Sequence, residues 1–77
     1  MSKLPLISAA RMAKILAHLG FILERQKGSH AYYRHTDGRA TVVPFHKGED
    51  LGRGLIRSIL KDADLRPEEY ERLRREV

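Results

Sequence analysis

The chain has no cysteine, which removes disulfides, zinc–thiolate sites and thiol nucleophiles at once. It has no asparagine and a single glutamine, Gln26, a scarcity of amides shared by heat-adapted proteins. No apolar run of signal-peptide length opens the chain at Met1-Ser2-Lys3-Leu4-Pro5, and no later stretch approaches a membrane span. The expectation is a soluble, cytoplasmic protein with no membrane partner. Internal repeats, low-complexity stretches and linkers are also absent, so the 77 residues are expected to form one domain. A domain of this size buries only about 60% of the surface its unfolded chain exposes. That leaves no space for a large cofactor pocket or a lid domain, and any chemistry must sit on the surface.

What the chain does have is positive charge. The formal net charge is +5 and the sequence pI is near 10.0, a balance that favours a polyanionic partner such as nucleic acid. Arginine outnumbers lysine two to one, and its planar guanidinium is the better phosphate fork.

Hydrophobic spacing divides the chain into elements. Ser8 is placed to cap a first helix whose apolar stripe is Met12, Ile15, Leu16 and Leu19. Gly20 supplies a left-handed stop, and His18 falls on the solvated side. Two turn signals, Lys27-Gly28-Ser29 and Thr36-Asp37-Gly38-Arg39, separate extended runs over Phe21–Gln26, His30–His35 and Ala40–Pro44. Asp-Gly between two such runs is a hairpin signal, and the three runs read as an antiparallel meander. Phe45 to Leu51 reads as a loop carrying His46, Lys47 and Gly48. A second helix buries Leu55, Ile56, Ile59, Leu60 and Ala63, with Arg53, Arg57 and Lys61 forming a basic ridge beside them. A short third helix starts at Pro67. Glu68 and Glu69 lie at its positive end and Arg74 and Arg75 at its negative end, as the macrodipole prefers. Glu68–Arg72 and Glu71–Arg75 are the expected i,i+4 pairs, and Tyr70, Leu73 and Val77 form its docking face. The expected fold is therefore α+β, in the order α-β-β-β-α, with a three-stranded antiparallel sheet covered by helices on one face and a short extra C-terminal helix. This order resembles the double-stranded-RNA-binding fold.

Four histidines are the candidates for chemistry, and strand parity sorts them. Side chains alternate along a strand, so His30, Tyr32 and Arg34 share one face while Ala31, Tyr33 and His35 share the other. Burying His30 and Arg34 together would be costly, which puts Ala31 and Tyr33 inward and His30, Tyr32 and Arg34 on the open face. His30 and His35 then cannot hold one metal ion between them. His30 with His46 lacks a carboxylate or thiolate at a recognisable spacing, so no metal site and no cofactor are expected, and His35 and His46 read as surface residues. Around His30, Arg25, Lys27, Ser29, Arg34 and Lys47 offer positive charge and a hydroxyl. An imidazole so placed can take the proton of an RNA 2′-hydroxyl, with the cations steadying charge on the adjacent phosphate. From the residues alone, His30 reads first as an ordinary exposed histidine.

The run Arg25-Gln26-Lys27-Gly28-Ser29-His30 is followed by Asp37-Gly38-Arg39, then Val43-Pro44-Phe45-His46, then Leu51-Gly52-Arg53-Gly54 leading into Ile59-Leu60. This ordered set resembles the HicA toxin family from Ile7 to about Leu65. The resemblance implies a double-stranded-RNA-binding-like fold, metal-independent cleavage of mRNA, growth arrest, and a neutralising HicB-like antitoxin protein that covers the active surface. It also implies that the catalytic histidine is His30, the one in Gly-Ser-His. Many members of the family follow it with a second histidine, where this chain has Ala31. Residues 66–77 lie outside the strongest match.

Two readings follow. In the first the protein is an endoribonuclease, with His30 catalytic and Arg25, Lys27, Ser29, Arg34, Lys47, Arg53 and Arg57 contacting RNA. In the second it is a non-catalytic RNA-binding module that uses the Arg53, Arg57 and Lys61 ridge and the Lys27 turn to contact phosphates across a minor groove.

Overall fold

A computed structural model describes residues 4–77; Met1-Ser2-Lys3, read above as lacking signal-peptide character, lies outside the described residues. The element order is α1 (Ala9–His18), β1 (Ile22–Lys27), β2 (His30–Arg34), β3 (Ala40–Pro44), α2 (Arg53–Ala63) and α3 (Pro67–Glu76). The strands form one antiparallel sheet in the order β1-β2-β3. The α+β order expected from the sequence is the one observed.

Helix α1 begins where the Ser8 hydroxyl accepts a hydrogen bond from the Arg11 N–H at 3.2 Å. That bond satisfies one of the amides the first turn leaves unpaired. The helix ends at His18, and Gly20 turns the chain with φ +97°, a conformation in which a Cβ is strained. Met12, Ile15 and Leu16 are fully buried and project toward the sheet with Ile56, Ile59 and Leu60 of α2. Replacing Ser8 by alanine is expected to cost about 1 kcal/mol, which lowers Tm by roughly 4–8 °C in a domain of this size. A thermal melt followed by circular dichroism checks this, and an unchanged midpoint would show that the cap contributes nothing.

Strands β2 and β3 form the floor of the core. Ala31, Tyr33, Thr41 and Val43 are buried against the helices. The Thr41 hydroxyl donates to the Asp62 carboxylate at 3.0 Å, which fixes β3 under the C-terminal half of α2. β1 differs from the Phe21–Gln26 run expected for it. Phe21 leaves the strand and enters the core (4% exposed), its amide donating to the Leu16 carbonyl, so the strand starts one residue later. It is an edge strand, exposed along its whole length, with a bulge between Leu23 and Arg25 that changes its pairing with β2.

His35 also departs from expectation. The sequence places it at the end of the second run and at the surface. Instead β2 ends at Arg34, and the His35 ring is half-buried between two elements. Its Nε2 lies 3.1 Å from the Leu19 carbonyl and its Nδ1 accepts from the Asp37 amide at 3.1 Å. The Phe21 ring meets it edge-on with centroids 5.3 Å apart. This histidine joins the end of α1 to the β2–β3 hairpin and is not available to a ligand.

Asp37-Gly38-Arg39 makes the matching contact on α2. Gly38 takes φ +101° in the turn, and Arg39 pairs with the Asp37 carboxylate at 2.9 Å while donating to the Ala63 carbonyl at the end of α2. The Arg39 backbone amide, followed by its guanidinium, holds the Asp37 carboxyl below the usual carboxylate range.

Helix α3 packs on α1 through Tyr70 and Leu73, which are 0% and 2% exposed. The Tyr70 hydroxyl donates to the Pro5 carbonyl and Arg11 donates to the Arg74 carbonyl, so α3 clamps the N-terminal segment against the domain. Of the two expected ion pairs, Glu71–Arg75 forms at 2.7 Å, but Arg72 turns forward to Glu76 at 3.7 Å and leaves Glu68. Glu71 takes Arg74 as well, at 2.7 Å, and hydrogen bonding to Arg74 is the main cause that lowers its carboxyl below the usual value.

Candidate nucleic-acid interface

The geometry of the candidate site is set by a two-residue hairpin. Lys27 and His30 are cross-strand partners, with only Gly28 and Ser29 between them. Gly28 supplies φ +59°, the left-handed first position that a primed hairpin turn demands. Directly opposed residues on one face have Cβ atoms about 5 Å apart, so the Lys27 and His30 side chains leave the sheet next to each other on one face. On the other side His30 pairs with Pro44 of β3.

Burial along β2 follows the expected parity. Ala31 and Tyr33 are buried, His30 and Arg34 are exposed and Tyr32 is half-buried. Position 31 faces the helices at 1% exposure. The alanine there therefore takes nothing from the face that carries His30, because a side chain at that position points into the core.

The residues singled out from the sequence divide into three groups. Arg25, Lys27, Ser29 and His30 come together on the β1–β2 hairpin. Arg25 pairs with Tyr32 across the strands, and its guanidinium carbon lies 4.6 Å from the centroid of the Tyr32 ring. Lys47 is exposed on the following loop, which is tied to the hairpin by a 2.7 Å hydrogen bond from the Phe45 amide to the Ser29 carbonyl. His46 is exposed on the same loop.

Arg34 forms the second group. It lies at the far end of β2 from His30, about 13 Å away at the usual strand rise, and is paired with Glu24 at 2.9 Å.

Arg53 and Arg57 form the third, on α2 in the helical layer. Arg53 is half-buried and donates to the Leu4 carbonyl at 3.0 Å. Arg57 and Lys61 line a cleft of about 500 Å³ with Leu4, Leu65, Pro67 and Glu68. The ridge thus looks toward the N-terminal segment and α3, away from His30.

Sequence reading missed the Arg25–Tyr32 pair. Arg25 and Tyr32 sit five residues before and two after the Gly-Ser-His triplet's last member, and only the register of a two-residue turn, carried past Gln26–Ala31, brings them opposite each other. Among the described residues, no three His, Asp or Glu side chains are grouped to hold a metal ion, and no helix is long and apolar enough to cross a membrane.

A family model described as the HicA toxin of bacterial toxin–antitoxin systems matches residues 9–65, from the start of α1 to just past α2. No curated protein matches the chain significantly.

Proposed function

Since the chain belongs to the HicA toxin family of bacterial toxin–antitoxin systems, we propose that it acts as a metal-independent endoribonuclease that cuts mRNA with His30 and is held in check by a HicB-like antitoxin. The observation that carries this reading is the hairpin: one exposed imidazole beside Lys27, at the rim of a sheet face that also holds Arg25. His30 takes the proton of a 2′-hydroxyl. That oxygen attacks the adjacent phosphorus, the P–O5′ bond breaks, and the departing 5′ oxygen takes up a proton from solvent. The products are a 2′,3′-cyclic phosphate and a 5′-hydroxyl. Lys27 and Lys47, with the Ser29 hydroxyl, stabilise the charge that builds on the phosphoryl oxygens. Arg25 holds the backbone further along the strand. Arg34, Arg53 and Arg57, which stand away from this end of the sheet, contact RNA only where it extends beyond the cleaved bond.

A surface this basic calls for an acidic partner, because complementary charge both steers the encounter and covers the site. The test uses purified protein and labelled single-stranded RNA in excess EDTA. Cleavage is expected under these conditions, and addition of the purified acidic product of a neighbouring reading frame is expected to stop it. Activity that vanishes with EDTA and returns with one divalent ion would contradict the metal-independent reaction. Binding without cleavage under every condition would leave an RNA-binding module.

A further inference from the structure

The open face of the sheet changes chemistry strand by strand, and the proposed reaction uses only one corner of it. By register and alternation β1 contributes Arg25 and Lys27 beside the turn and Ile22 beyond the bulge, β2 contributes His30, Tyr32 and Arg34, and β3 contributes Pro44, Val42 and Ala40. At the hairpin end, the cations Arg25 and Lys27 therefore lie on one side of Tyr32 and His30, and the apolar Val42 and Pro44 on the other. Tyr32 is the aromatic residue of this face. It pairs with Arg25 on one side and Val42 on the other, and the exposed Arg25 guanidinium lies over its ring at 4.6 Å. It stands two residues from His30 on the same face, about 7 Å along the strand.

Single-stranded RNA has the complementary pattern, a charged phosphodiester edge and flat bases free to stack. Aromatic rings and arginine planes are the surfaces that proteins offer to such bases. We infer that the Arg25–Tyr32 pair is a stacking subsite for one nucleobase of single-stranded RNA, beside the phosphate held at His30. This inference rests on RNA being the substrate. The backbone runs over the Arg25 and Lys27 side, and the bases turn toward Val42 and Pro44. A duplex cannot use the subsite, since its bases are already stacked on each other. The substrate is accordingly the unpaired part of a message, even though the fold resembles one associated with duplex RNA. A cross-strand pair that served only to stabilise the sheet would have the same geometry but would be indifferent to RNA, and that difference is measurable.

The experiment uses the full chain carrying His30→Gln, so that RNA is bound without being cut. The probes are a short single-stranded RNA with 2-aminopurine at successive positions and a duplex of the same sequence. The single strand is expected to bind more tightly, with fluorescence changing sharply at one position. Tyr32→Phe preserves both results. Tyr32→Ala abolishes the fluorescence change and weakens binding roughly 5- to 150-fold, the equivalent of ~1–3 kcal/mol for one stacked base. Arg25→Lys, an exposed edge-strand change that keeps the charge and removes the plane, weakens the single strand several-fold more than the duplex; it provides the readout should Tyr32→Ala fail to fold. Equal binding of single strand and duplex would overturn the inference, as would wild-type binding by either Tyr32→Ala or Arg25→Lys. Loss of affinity for a protein antitoxin with unchanged affinity for RNA would overturn it too, by assigning the face to a protein. Cleavage assays in the His30 background separate the two levels: efficient cutting by Tyr32→Ala removes the stacking subsite and leaves the nuclease, whereas base-specific stacking without cutting by any form removes the nuclease and leaves the subsite.

Discussion

His30→Ala is expected to leave a folded protein that still binds RNA and cleaves it about 10²–10⁴-fold more slowly, the range for loss of a general acid or base. That is ~2.7–5.5 kcal/mol of transition-state stabilisation. Folding is spared because His30 is exposed, and the packing of β2 is carried by Ala31 and Tyr33 on the opposite face. Surface changes of this kind usually stay within about 0.5 kcal/mol. Binding is expected to be spared because the proposed phosphate contacts Arg25, Lys27 and Lys47 are untouched. Three measurements on the same preparation decide the matter: a thermal melt, affinity for a short RNA, and cleavage rate at saturating protein. A large fall in rate with the first two unchanged is the expected pattern. Cleavage at the wild-type rate, or growth arrest that persists undiminished when the variant is expressed, would remove His30 from the reaction. A variant that melts far below wild type would instead make His30 a structural residue, in conflict with its exposure.

Much of this architecture was legible in the sequence because local chemistry and long-range packing agree there. The Ser8 cap, the Met12-Ile15-Leu16 stripe and the Gly20 stop specify α1 without help from the sheet, and the two glycine turns set the hairpins. Parity placed Ala31 and Tyr33 in the core and His30 outside it, since an alternating strand leaves only two choices and one buries two polar groups. What could not be read depended on contacts between distant segments. His35 has the same local sequence as a surface strand residue, and only the arrival of Leu19 and Phe21 from the end of α1 makes it a bridge. Arg39 lies in a turn motif that reads as local, yet its guanidinium reaches the carbonyl of Ala63, the last residue of α2, 24 residues away. The Arg53-Arg57-Lys61 spacing correctly placed three cations on one side of a helix, but spacing carries no information about which side faces the sheet. Helix α2 crosses behind β3 and directs Arg57 and Lys61 toward Leu4 and Pro67. For the candidate site the same division holds. The turn carrying Gly28, Ser29 and His30 is local and readable, whereas the meeting of Arg25 with Tyr32 requires the register, and the attachment of the loop that carries Lys47 requires the hydrogen bond between Phe45 and Ser29.

A single 2′-deoxy or 2′-O-methyl nucleotide at a mapped cleavage position is expected to stop cutting at that bond and barely change affinity. The hairpin places one exposed imidazole opposite a lysine, and in the proposed reaction these deprotonate a hydroxyl and stabilise the phosphoryl oxygens. If the nucleophile is the substrate's own 2′ oxygen, its removal or methylation eliminates the reaction, whatever else the protein contributes. On the proposed reading, affinity is by contrast a sum over Arg25, Lys27, Lys47 and further backbone contacts, and one altered sugar changes little of it. Single-stranded DNA is therefore expected to bind and to remain intact. The assay is one labelled oligonucleotide, with and without the substitution, incubated in EDTA with wild-type and His30→Ala protein. The expected products of the unmodified strand end in a cyclic or 3′-phosphate on one side and a 5′-hydroxyl on the other. Cutting of the substituted strand at the original bond would mean that an activated water is the nucleophile, and the 2′-hydroxyl mechanism would fall. Intact RNA in every lane, with binding preserved, would instead assign the open face to recognition alone.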